Sequence, residues 1–84
     1  MSVNQKIKAD VLPTNGAAKV YYKNLQQLFE KLQSTNPALN KVYFCNYLLQ
    51  AKDVLAKLQK SEPLFDCRQL IEEYNTHESA FLKA

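Results

Sequence analysis

Residues 17–34 read AAKVYYKNLQQLFEKLQS, and this stretch decides the fold class. Tyr21, Leu25, Leu28, Phe29 and Leu32 recur at the i, i+4, i+7, i+8, i+11 spacing of one helical face. Lys19, Lys23, Asn24, Gln27, Glu30 and Lys31 fill the opposite side. Thr14 and Asn15 stand ahead of the run as candidate caps. Ser34-Thr35-Asn36-Pro37 ends it, because a residue before proline is pushed out of the α region.

A second helix is expected to follow at once, from Pro37 to Lys60. Asn36 caps it and Pro37 takes the first helical position, where a missing N–H does no harm. Its main apolar stripe is Tyr43, Phe44, Tyr47, Ala51, Val54, Leu55 and Leu58. On a helical wheel at roughly 100° per residue, Tyr43, Tyr47, Val54 and Leu58 fall within about 60° of one another. A second row lies about opposite: Val42, Cys45, Leu49 and Ala56. Polar sectors separate the two rows, one with Asn46, Gln50, Asp53 and Lys57, the other with Lys41, Lys52 and Gln59. Two covers for the second row are open. Either a third helix or the N-terminal segment packs there and makes this the central helix, or a partner or a second copy of the chain does.

The third helix has a well-marked start, with Asp66 as cap, Gln69 three residues on and Phe65 and Leu70 in hydrophobic-staple positions. Its core face is Cys67, Leu70, Ile71, Tyr74 and Phe81, with a weak point expected at Asn75-Thr76-His77. Before Pro13, Ser2 and Gln5 suit a capping box and Val3, Ile7 and Val11 are four apart, which fits a short helix as well as an arm. The expected architecture is an all-α, small antiparallel three-helix bundle. Residues 1–15 form an N-terminal arm or short extra helix, and 16–84 form the bundle domain. Leu25, Phe29, Tyr47, Leu58, Leu70 and Ile71 are its expected core.

Composition agrees. A single glycine and three prolines leave few of the tight turns that a sandwich or barrel needs. At 84 residues there is room for one domain with a small core. No apolar run approaches the roughly 20 residues of a membrane span, and the start Met-Ser-Val-Asn-Gln-Lys lacks an apolar segment of signal-peptide length. We therefore expect no membrane partner and an intracellular, cytoplasmic location. Cys45 and Cys67 have no companion at metal-ligand spacing, and His77 does not complete a zinc set with them. They read as reduced thiols, with a bridge between helices as the alternative. No cofactor or metal is expected.

For function, the chain offers no Gly-rich phosphate loop, no nucleophile with a matched base and no paired carboxylates. Glu73 and His77, i and i+4 on a helix, read as a surface pair. The expected function is non-enzymatic: a protein-protein interaction or assembly module, a small adaptor or regulatory protein. Its candidate partner-binding residues are Val42, Cys45, Leu49, Ala56 and the rim tyrosine Tyr22.

The alternative is a basic nucleic-acid-binding domain using Lys41 and Lys52, since residues 1–60 hold nine lysines against Asp10, Glu30 and Asp53. Against it, ten of the eleven basic residues are lysine, and only Arg68 could make bidentate contacts. Leu28-Phe29, Asn36-Pro37-Ala38-Leu39, Lys41-Val42, Leu48-Leu49 and Ser61-Glu62 faintly resemble the C-terminal peptide-binding domain of poly(A)-binding proteins, also a small helical bundle. That family's Lys-Ile-Thr-Gly-Met-Leu-Leu-Glu signature is replaced here by a stretch in which Phe44 and Tyr47 stand near the missing glycine. No site residue carries over.

Overall fold

A computed structural model of the protein describes residues 12–84. The readings made for Val3, Ile7, Val11 and the capping box of Ser2 and Gln5 lie outside the described residues. Among the described residues are three helices and no strand: α1, Gly16–Gln33; α2, Lys41–Ser61; and α3, Arg68–Lys83. They form an antiparallel three-helix bundle, with α2 as the helix most in contact with the other two.

Helix α1 starts where its cap dictates. The Asn15 side-chain oxygen accepts from the backbone N–H of Ala17 at 2.8 Å and of Ala18 at 3.3 Å, which satisfies two donors that have no partner inside the helix. The preceding segment is tied to the far end of α2. Glu62 Oε1 accepts from the N–H of Thr14 at 2.9 Å and of Asn15 at 2.8 Å, and Pro13 is buried. One carboxylate thus joins the entry of α1 to the exit of α2.

Between α1 and α2 the expectation is half met. Asn36 does cap, accepting from the N–H of Ala38 at 2.8 Å and of Leu39 at 3.2 Å, and Asn40 N–H reaches the Asn36 carbonyl at 2.9 Å. But this closes a single turn. Asn40, at φ −127° and ψ 57°, leaves the helical region, so α2 begins at Lys41 and not at Pro37. Ala38 and Leu39 are exposed, so the turn has no apolar face to dock that would hold it in line with α2.

At the start of α3 the expected cap falls one residue early: the N-cap is Cys67, whose side chain makes no capping bond, while the Asp66 carboxylate ahead of it accepts from the Arg68 N–H at 3.0 Å and from the Arg68 guanidinium at 2.8 Å. Phe65 packs against the core cluster. The weak point at Asn75-Thr76-His77 is absent, and α3 runs unbroken to Lys83. Packing explains this: the His77 ring lies 5.7 Å from that of Phe29 of α1, and Phe81 stacks on Phe44 of α2 with centroids 5.9 Å apart.

The core consists of Ala18, Leu25, Leu28, Phe29 and Leu32 from α1, Phe44, Leu48, Ala51, Leu55 and Leu58 from α2, and Leu70 from α3, with Cys67 just before α3. Leu25, Phe29, Leu58 and Leu70 are buried as expected, while Tyr47 and Ile71 are half-buried at its margin. The stripe of α2 needs a correction. Its centre is Phe44, Leu48, Ala51, Leu55 and Leu58, about 70° round the helix from the row of Tyr43, Tyr47, Val54 and Leu58, and Tyr43 is 62% exposed. A helix wedged between two neighbours buries the sector that faces both. Tyr47 thereby turns to the α1 side, where the Lys31 ammonium lies 5.6 Å from its ring centre, and Cys45 turns toward Tyr74 of α3.

Candidate functional site

The outward side of α2 is the first surface to weigh. Val42 is 72% and Leu49 61% exposed, and Ala56 is exposed as well. These three residues are seven apart, two turns each, so they form a line along the helix. The third helix does not cover it. Of the other residues expected there, Cys45 is half-buried, near enough to Tyr74 to act on its phenol. Tyr22 belongs elsewhere: it sits on α1 and meets Phe65 edge-on, with ring centroids 6.0 Å apart. Leu39, just before α2, and Tyr43, on another side of it, are exposed as well.

Helix α2 brings its own charge to the row. Lys41, Lys52, Lys57 and Lys60 are exposed. Asp53 pairs with Lys57 at 3.1 Å. Lys41 and Lys52, the candidates for phosphate contact, share one side of the helix.

A groove of about 450 Å³ runs between α1 and α3, lined among others by Tyr22, Gln26, Phe65, Arg68, Gln69 and Glu73. Its acidic and basic groups already meet in part, since Arg68 holds Asp66. Among the described residues, no three His, Cys, Asp or Glu side chains gather as they would around a metal ion. Cys45 and Cys67 are free thiols. Burial, helped by the Asp66 carboxylate, pushes the Cys67 thiol up, which disfavours the nucleophilic thiolate. Burial likewise raises the Tyr74 phenol, with Glu78 and Cys45 adding to the effect.

His77 departs from its expected role. It does not pair with Glu73 on the surface but turns inward, with its ring 5.7 Å from that of Phe29 and 6.4 Å from that of Phe44. Its Nε2 is buried without a hydrogen-bond partner. Burial holds its pKa below the ordinary value, against the opposing pull of Glu73. The sequence carried the signal, because His77 stands seven residues after Leu70 and four before Phe81, on the core stripe. A neutral imidazole between phenyl rings serves packing.

Comparison of the chain with known protein families, curated proteins and solved structures gave no match. The faint likeness to the poly(A)-binding domain therefore gains no second support. No described helix is long and apolar enough to cross a membrane.

Proposed function

We propose that the protein is a non-catalytic association module that binds a partner through the outward face of α2. The observation that carries this reading is the exposed line of Val42, Leu49 and Ala56 on a helix whose opposite face already supplies the core. A helix in a bundle this small needs one apolar sector to fold. A second row of three apolar residues, exposed among the described residues, does not aid the fold, and an exposed apolar helix face is a surface on which a partner helix docks.

The experiment is Leu49→Asp, with a thermal melt beside a sedimentation and pull-down measurement. Because Leu49 is 61% exposed, the melt is expected to stay within about 0.5 kcal/mol of the parent, while association is lost. Association that survives the charge would overturn the reading. Nucleic-acid binding is the second reading, favoured by the exposure of Lys41 and Lys52 on one side of α2. It predicts binding that weakens steeply with added salt.

A further inference from the structure

The charges that border the row narrow the kind of partner. Helix α2 carries four lysines against one aspartate, a net charge of +3. Asp53 is engaged with Lys57, and Lys41, Lys52 and Lys60 have no ion pair among the described residues. On the wheel, Lys41 and Lys52 lie about 60–80° to one side of Leu49. Lys60, one turn beyond Ala56, closes the row at its C-terminal end. The other border is uncharged on balance, formed by Asn46, Gln50 and the Asp53–Lys57 pair. The face is therefore an apolar line with one basic edge.

We propose, building on the outward row described above as the binding face, that its occupant is an acidic amphipathic helix from another protein. Its apolar side chains lie over Val42, Leu49 and Ala56, and its carboxylates run along the edge made by Lys41 and Lys52. The row spans about 21 Å at 1.5 Å per residue, so a partner of some four to five turns covers it. Flanking charge of the opposite sign fixes register and partner choice in helix pairing, where like charges repel.

The same charges count against two other occupants, a second copy and a nucleic acid. A second copy of α2 laid antiparallel fits the apolar row, since Leu49 lies midway between Val42 and Ala56. It nevertheless sets a net +3 against a net +3, with the only acid of each helix already paired. A phosphate backbone would meet the lysine edge but leave Leu49 and Val42 facing a charged polymer, and the face holds no arginine for bidentate contacts.

The test uses the full chain and two synthetic helical peptides with identical leucine rows, one flanked by glutamates and one by lysines. Affinity is read by titration calorimetry and by chemical-shift changes. The glutamate peptide is expected to bind at least about tenfold more tightly than the lysine peptide. The double change Lys41→Glu with Lys52→Glu should reverse that order, and Leu49→Asp should abolish both. A thermal melt of each variant confirms the fold, with Ala56→Glu as a second probe of the row.

Equal affinity for the two peptides, unmoved by charge reversal, would overturn the acidic occupant while leaving the row as a binding face. Binding of both that persists in Leu49→Asp and Ala56→Glu would overturn the row itself. No binding of either peptide by the folded protein also overturns the proposal. So does a concentration-dependent dimer lost in Leu49→Asp, which assigns a second copy. Binding of a single-stranded oligonucleotide lost on Lys41→Glu with Lys52→Glu but kept in Leu49→Asp would assign a nucleic acid instead.

Discussion

Leu58 and Leu49 are the two leucines of α2 that differ most in environment: Leu58 is 0% and Leu49 61% exposed. Replacing each in turn with alanine removes the same three carbons. At Leu58 the lost transfer free energy is about 2.4 kcal/mol at ~0.8 kcal/mol per methylene. The pit left in the core cluster brings the total to about 3–5 kcal/mol. A chain of 84 residues has on the order of 4–13 kcal/mol of stability in all, so the change takes a large share of it. At about 4–8 °C per kcal/mol in a domain of this size, the melting temperature should fall by at least about 12 °C. At Leu49, most of the side chain is in water before and after, and the effect should stay within about 0.5 kcal/mol. Thermal and urea melts followed by far-ultraviolet circular dichroism measure both on one scale. A Leu49→Ala variant as destabilised as Leu58→Ala would refute the assignment of faces on α2, and the outward row would be part of the core.

Two further outcomes are expected. With His77 held below its ordinary pKa of 6.5, the unfolded chain takes up more protons as acid is added, so stability is full above about pH 6.5 and falls below it until the folded-state imidazole titrates. Urea melts from pH 7.5 to 5 should show this loss in the parent and little of it in His77→Phe; an equal loss in both would clear His77 of the effect. Glu62→Ala removes the acceptor for the Thr14 and Asn15 N–H groups and is expected to cost about 1–2 kcal/mol. Amide exchange should quicken at Ala17 and Ala18, whereas unchanged exchange there would show that the Asn15 cap suffices alone.

What the sequence made legible follows from the range of each interaction. The start of α1 at Asn15 could be read because a cap and the N–H groups it satisfies lie within three residues of each other; for α3 the same reading falls one residue early, on Asp66 where Cys67 is the N-cap. The length of α3 could not, since Asn75, Thr76 and His77 are indifferent helix formers by themselves. Their helix is held by His77 against Phe29 and by Phe81 against Phe44, contacts with residues far away in the chain. The face of α2 failed for a related reason. With apolar residues over much of its circumference, the helix allows several orientations, and only the positions of α1 and α3 select the one centred on Phe44. The Glu62 clamp is likewise invisible to local reading, because its partners are 47 and 48 residues distant. The outward row was legible as a pattern, but its exposure came from the fold.

The placement of charge on α2 bears on why such a row is tolerated. Lysines beside an exposed apolar strip also act as gatekeepers, keeping copies of a protein apart by repulsion. That role and recognition of an acidic helix predict the same arrangement in the free protein, since both need positive charge at the edge of the strip. They separate on charge reversal. Glutamates in place of Lys41 and Lys52 preserve a charged edge, so a gatekeeping role survives the exchange, whereas recognition of an acidic helix depends on the sign and does not. The core gains nothing from either residue, as both are exposed, and the fold should be indifferent to the exchange. A variant that stays folded and monomeric yet changes the charge of the helix it prefers would therefore assign these lysines to partner choice.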